Sequence, residues 1–154
     1  MAAVRDLALS VNTVSGADPA RRTSHEAAAA VGCDRSGIAK AIVFVADGDP
    51  VVCVTCATHR VDPDRLCQVL DCTEVREATS AEVRAATGFP VGGVSPFGHG
   101  VPVIFDAALL EQERIWVAGG DLNSLVQVFS RACVERTGAT IADVATRVPA
   151  DTPL

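Results

Sequence analysis

The sequence predicts a mixed α/β domain of the α+β kind, one compact unit over residues 1–154, and three observations lead there. A chain of 154 residues makes about one domain and can bury roughly 70% of the surface its unfolded form exposes. Two apolar runs of strand length, 39–46 and 51–56, flank Asp47-Gly48-Asp49-Pro50, a hairpin signal. Helix starts with explicit caps fall between such runs, and no internal repeat, low-complexity tract or linker interrupts them.

In order, residues 7–14 alternate as a strand and 16–22 read as a loop. Thr23-Ser24-His25-Glu26 fits a capping box for a helix whose alanine-rich body ends at Gly32. The runs 39–46 and 51–56 look like strands buried on both faces. Asp62-Pro63 caps and opens a helix to about Leu70, because aspartate satisfies free N–H groups and proline suits a first turn. Residues 73–78 form a short strand, and Thr79-Ser80-Ala81-Glu82 starts a helix that stops at Gly88. Strands are expected at 101–105 and 115–118 around a helical turn near 107–110. Periodicity alone leaves 124–129 as strand or helix; strand is preferred, followed by a helix at 130–137 ending at Gly138 and a last strand at 139–144. The tail, 149–154, is expected to be loose.

Composition narrows the function classes. The formal charge of −6 provides no general basic surface for gripping nucleic acid through many phosphates, so any such contact must be local or helped by a partner. No apolar run approaches the roughly 20 residues that cross a bilayer, and no basic segment with a long apolar core opens the chain. A soluble, cytoplasmic protein with no membrane or DNA partner is expected. Six cysteines in such a chain are expected reduced and buried. Cys53 and Cys56 lie three apart in a strand, on opposite faces, which suits a core and not a redox pair at a helix start. His59 and His99 complete no standard zinc spacing, so neither metal nor cofactor is expected.

Two features carry chemistry. Gly88 to Gly100 holds five glycines and two prolines in thirteen residues, which excludes a helix or a central strand. Such a loop either brings bare backbone against a ligand or is a surface crossover with turns at both ends. Lys40, the single lysine against twelve arginines, opens an apolar strand on the side of Ile42 and Phe44. A lysine there is either solvated at the strand end or a buried-side ammonium that needs anionic or carbonyl partners.

Glu26-Ala27-Ala28 followed by Gly32, Lys40, Val61-Asp62, Thr87-Gly88, Gly92-Gly-Val-Ser-Pro-Phe-Gly98 and Val117-Ala-Gly-Gly120 together resemble the YbaK and ProX-type aminoacyl-tRNA deacylases, relatives of the editing domain of bacterial prolyl-tRNA synthetases. The resemblance covers about residues 23–144 and implies a mixed, mainly antiparallel sheet or partial barrel surrounded by helices. It implies hydrolysis of the ester between a wrong amino acid and the terminal adenosine of a tRNA. The partners implied are the acceptor end of aminoacyl-tRNA and a prolyl-tRNA synthetase. Lys40 matches the family's essential lysine, whose ammonium suits polarising an ester as negative charge develops. Gly92 matches a glycine whose backbone places the attacking group or the substrate, and the substrate's own groups are thought to assist. Gly93, Ser95, Pro96, Gly98, His99, Gly119, Gly120 and Asp121 are the candidate substrate-binding residues. His99, beside the loop, titrates near neutrality and is a rival catalytic group, read here as a rim residue, while His25 and His59 are read as surface residues. Asp106 is expected to hydrogen-bond the loop or to cap the turn that follows it.

The sequence departs from the family at Ala41, where a threonine often follows the lysine, and at Asp121-Leu-Asn-Ser124, where a basic segment is usual. The resemblance therefore does not carry over an amino-acid specificity. The main reading is a trans-editing hydrolase for small misacylated amino acids, alanine, cysteine or serine, on tRNA-Pro or a similar tRNA. The alternative is a non-catalytic module that binds aminoacyl-tRNA, a nucleotide or a synthetase.

Overall fold

The computed structural model describes residues 10–13, 24–120 and 124–148. Its strands form three sheets. A five-stranded sheet runs β5-β2-β3-β6-β9, with β2 at Ala39–Ala46, β3 at Asp49–Cys56, β5 at Val75–Glu77, β6 at Val103–Asp106 and β9 at Thr140–Ala142. A three-stranded sheet runs β1-β8-β7, with β1 at Ser10–Thr13, β7 at Arg114–Ala118 and β8 at Ser124–Phe129. β4 (His59–Val61) pairs with β10 (Ala145–Arg147). Helices α1 (Ser24–Val31), α2 (Pro63–Leu70), α3 (Ser80–Thr87) and α4 (Ser130–Thr137) surround the sheets. Pairing is antiparallel except for β3 with β6 and β6 with β9, and the strands do not close into a barrel.

The β2–β3 hairpin has Ala46 opposite Asp49, leaving Asp47 and Gly48 as a two-residue turn with φ of 47° and 89°. Two positive φ values match the right-handed twist of the flanking strands, which is why aspartate and glycine stand there. The Asp47 carboxylate also accepts the backbone N–H groups of Thr73 and Glu74, tying the hairpin to the start of β5. Pro50 is tolerated near the start of central β3 because β6 pairs only from Val52 onward; the Val52 N–H points that way, donating to the Pro102 carbonyl at 2.9 Å.

α2 and α3 begin as expected. The Asp62 carboxylate accepts the Asp64 N–H with Pro63 in the first turn. Thr79 and Glu82 form both halves of a capping box, at 3.2 and 2.9 Å, and Arg76 grips the same glutamate at 2.8 and 2.9 Å. Thr23 lies outside the described residues, so only the body of the first predicted capping-box helix is seen, as α1, and the loop at 16–22 also lies outside. The expected last strand is two, β9 and β10, with the buried Val144 between them.

The main core lies between the two larger sheets, where Val52, Val54 and Phe105 meet Ile115, Val117, Val126 and Val128. The other face of the five-stranded sheet packs Phe44, Val51, Cys53 and Ile104 against Leu66 of α2. β3 is buried on both faces from Val51 to Cys56, whereas β2 is half-buried at Lys40, Ala41 and Ile42. The expectation for β2 was wrong in this respect, since Val45 and Ala46 beneath β5 are half-buried as well. Cys53 and Cys56 do lie on opposite faces, in different clusters. Burial, with Asp106 adding to it, pushes the Cys53 thiol up to about 12. Cys33, Cys67 and Cys72 are half-buried, not buried as expected. Among the described residues no helix is long and apolar enough to cross a membrane.

Candidate functional site

Lys40 owes its position to one pairing between the two large sheets. Ile38, just before β2, forms a parallel bridge with Trp116 of β7. The bridge is isolated: Lys40 lies two residues beyond it along β2, and Gly119 and Gly120 lie three and four residues beyond it along the chain from Trp116. Paired residues share a face, so the side chains of Ile38, Lys40 and Trp116 lie on one side. Ile38 and Trp116 pack with Ala27 and Ala28 of α1, so the start of β2 is held between helix and sheets.

The Lys40 ammonium is half-buried at the stretch of β2 that β5 leaves uncovered. Burial first, and then the Arg60 guanidinium, lower its pKa to about 8; the Cys56 thiol pulls it up, Arg35 down and Glu77 up by less. At pH 7 it therefore remains an ammonium by about ten to one, yet it gives up its proton far more readily than an exposed lysine. Across the strand stands Thr55, fully buried, whose hydroxyl has no hydrogen-bond partner among the described residues.

Gly119 closes β7 tightly. Its N–H donates to the Ser124 carbonyl at 3.0 Å, and a Cβ built on it would lie 2.9 Å from the Ser124 Cβ and 3.2 Å from Val126. Gly120 has φ of 99°, and Asp121 lies outside the described residues.

The glycine-rich loop packs against β2 from the opposite side. Phe89, Val94 and Phe97 share the main core with Ala39 and Val43, and Ala41 packs against it, so the residues on either side of Lys40 face the core. Gly93, Ser95 and Pro96 are buried and Gly92 is exposed with φ of 85°. The Ser95 hydroxyl accepts the Phe97 N–H at 3.2 Å and so braces the loop internally. Pro96, Gly98 and His99 line a cleft of about 400 Å³ that reaches Arg136 and Thr137 at the end of α4. The His99 Nδ1 accepts the Val101 N–H at 3.0 Å, its ring meets Phe89 edge-on, and burial lowers its pKa. The second half of the loop lies on a cleft whose lining does not include the lysine.

Asp106 does neither of the two things expected of it. It is fully buried; its Oδ1 accepts the Val144 N–H at 3.0 Å, it caps no turn, and its Oδ2 has no partner among the described residues. Its role is to hold the segment between β9 and β10, and burial raises its pKa. His59, expected at the surface, is half-buried, with Nδ1 3.0 Å from the Thr58 hydroxyl. The side chain of His25 lies outside the described residues.

Alternation in Arg114-Ile-Trp-Val-Ala118 could have shown the groove that sequence reasoning missed. Arg114 and Trp116 share a face of β7 with Gln127 opposite Trp116, and they line a groove of about 500 Å³ beside α1.

Comparison with known proteins agrees with this architecture. Residues 18–134 match the family model for the aminoacyl-tRNA editing domain. A proline–tRNA ligase of Geobacter metallireducens is 30% identical over 135 residues, 86% of this chain and 23% of the ligase, so the chain spans about a quarter of that relative. The uncharacterized protein YwhH of Bacillus subtilis is 30% identical over 127 residues, covering 80% of each chain. A solved structure described as a candidate trans-editing enzyme for prolyl-tRNA synthetase superposes with a TM-score of 0.80 at 33% identity, over 88% of this chain and 85% of that one. With three quarters of its length inside the family model, this chain belongs to the aminoacyl-tRNA editing domain family.

Proposed function

We propose that this protein is a deacylase that acts in trans on mischarged aminoacyl-tRNA, with Lys40 as its central catalytic group. The observation that carries the reading is the half-buried Lys40 ammonium on the stretch of β2 that β5 leaves unpaired, two residues beyond the bridge of Ile38 to Trp116. Water adds to the ester carbonyl, the ribose oxygen leaves with a proton, and free amino acid and tRNA result. The tetrahedral intermediate carries a negative oxygen, and a positive group in a partly dry recess stabilises it more than it stabilises the neutral ester. Gly92, Gly119 and Gly120 present backbone without side chains, Gly93, Ser95 and Pro96 fix the loop, and Gly98 and His99 form its outer rim. YwhH and the candidate trans-editing enzyme, each covered over most of its length, support action in trans.

The substrates proposed are alanine, cysteine or serine esters of tRNA-Pro or a similar tRNA, with prolyl-tRNA synthetase as the presenting partner. A synthetase pocket rejects a smaller side chain by only about 1–3 kcal/mol, so a second hydrolytic sieve is needed for small apolar competitors. Ala41, where related proteins often carry threonine, favours one rival reading, a binding module without turnover. Release of labelled amino acid from alanyl-, cysteinyl-, seryl- and prolyl-tRNA separates the two. Selective, repeated turnover on one of the first three supports the deacylase; retention of every ester, with or without prolyl-tRNA synthetase, leaves binding alone.

A further inference from the structure

We infer that Cys67 and Cys72 are a modification site, a dithiol that an uncharged hydroperoxide closes into one reversible disulfide across the end of α2. This goes beyond the editing reading and needs no ester substrate.

The way α2 stops is what joins the two residues. Asp71 takes the left-handed conformation, with φ of 52° and ψ of 44°, and turns the chain back on the helix. The Asp71 N–H then donates to the Gln68 carbonyl at 3.3 Å and the Cys72 N–H to the Cys67 carbonyl at 3.0 Å, the paired bonds of a Schellman motif. In that motif the side chains at the two ends of the longer loop meet, usually as an apolar contact. Here both are cysteine, and their sulfurs stand 2.9 Å apart. A disulfide bond of about 2.05 Å lies within about 1 Å of movement from there, with the backbone already in place. Aspartate accepts this backbone less readily than glycine, so a cross-link would hold a weak point of the helix stop.

The surroundings select both the pair and the oxidant. Cys53, Cys56 and Cys133 are buried in the cores, whereas Cys67 and Cys72 are half-buried. Cys33 is half-buried too, but it packs in the α1 cluster, which no second cysteine joins. The Cys67 thiol donates to the Cys72 carbonyl at 2.9 Å while it meets the Cys72 sulfur. Its bond to Cys72 first, and then partial burial, push it up to about 11, with Asp47 and Asp64 adding to the shift. Cys67 therefore keeps its proton at neutral pH, and Cys72 is the sulfur that meets the oxidant. Acidic side chains here repel an anionic disulfide such as oxidised glutathione and leave a neutral hydroperoxide unopposed.

With hydrogen peroxide, the Cys72 thiolate attacks one oxygen, the O–O bond breaks, and a sulfenic acid and one water result. The Cys67 sulfur gives up its proton and attacks the sulfenic sulfur; the S–S bond forms and a second water leaves. Two thiols are oxidised and one peroxide is reduced. The cross-link anchors a segment whose next two N–H groups, of Thr73 and Glu74, are already held by the Asp47 carboxylate at the β2–β3 turn. The oxidised protein is consequently the more stable form.

The experiment treats wild-type protein with hydrogen peroxide, blocks the remaining thiols with iodoacetamide and digests it with trypsin. Cleavage after Lys40, Arg60, Arg65 and Arg76 puts Cys67 and Cys72 together in peptide 66–76, and Cys53 and Cys56 in peptide 41–60. The expected product is a 66–76 peptide about 2 Da lighter than the dithiol, restored by dithiothreitol, while 41–60 keeps two blocked thiols. The bridge should raise the midpoint of thermal unfolding by about 3–8 °C, a rise absent in Cys72→Ser. A 66–76 peptide that keeps both thiols when free cysteine in the same solution has oxidised overturns the proposal. So does sulfinic acid on either sulfur without a bridge, or a bridge that leaves the midpoint unchanged.

Discussion

Ile38 and Trp116 are joined by a parallel bridge, and that pairing fixes where Lys40 stands. It connects the five-stranded sheet to the three-stranded one at the end of β2 away from β5. The lysine is consequently neither solvated nor fully enclosed, and its lowered pKa follows from that placement.

Lys40 should cost the fold stability at neutral pH. The unfolded chain keeps this proton up to about 10.5, the folded chain only to about 8, so between those values the unfolded state binds more protons and stability rises with pH. Lys40→Met removes the cost. After discounting for partial exposure, a gain of about 1–2 kcal/mol at pH 7 is expected in urea denaturation, with loss of activity.

The same titration predicts the pH profile of hydrolysis. Above about 8 the ammonium becomes an amine and ceases to stabilise an oxyanion. Enzymatic rate, corrected for spontaneous ester hydrolysis, should therefore decline through that pH. A profile that climbs without inflection to pH 10 would exclude an ammonium as the working group.

Gly119→Ala should damage the site with little effect elsewhere. The new methyl group would lie 2.9 Å from the Ser124 Cβ and 3.2 Å from Val126, forcing the end of β7 away from the start of β8. A loss of about 1–3 kcal/mol in stability is expected from overpacking, with kcat/KM falling more than kcat of a distant control such as Thr79→Ala. That control loses a cap to α3, worth about 1 kcal/mol.

Local chemistry was legible in the sequence, and contacts across sheets were not. Thr79 to Glu82 could be read as a capping box because both bonds close within four residues, and Asp62-Pro63 likewise. The approach of Trp116 to Ile38 joins segments 78 residues apart in two sheets, and nothing in either segment announces the other. β4 and β10 were missed because each pairs with the other across a long stretch of chain, Ala145 with Val61 and Arg147 with His59. Asp106 was misassigned because its partner, the Val144 N–H, belongs to a segment that reaches it only through the parallel β6–β9 pairing.

Asp106 offers a separate test of that correction. Asp106→Asn keeps an oxygen for Val144 and should change stability by less than about 1 kcal/mol, whereas Asp106→Ala strands a buried N–H and should cost about 1–3 kcal/mol. Thermal or urea unfolding of the two variants distinguishes this role from any bond to the glycine-rich loop.

The most direct test of the central claim is single-turnover deacylation of alanyl-tRNA-Pro by wild-type protein and by Lys40→Ala at equal, saturating enzyme concentration. The account predicts a drop of about 10²–10³-fold in the rate of ester cleavage with the variant still folded. A Lys40→Ala protein that cleaves the ester at the wild-type rate would contradict it.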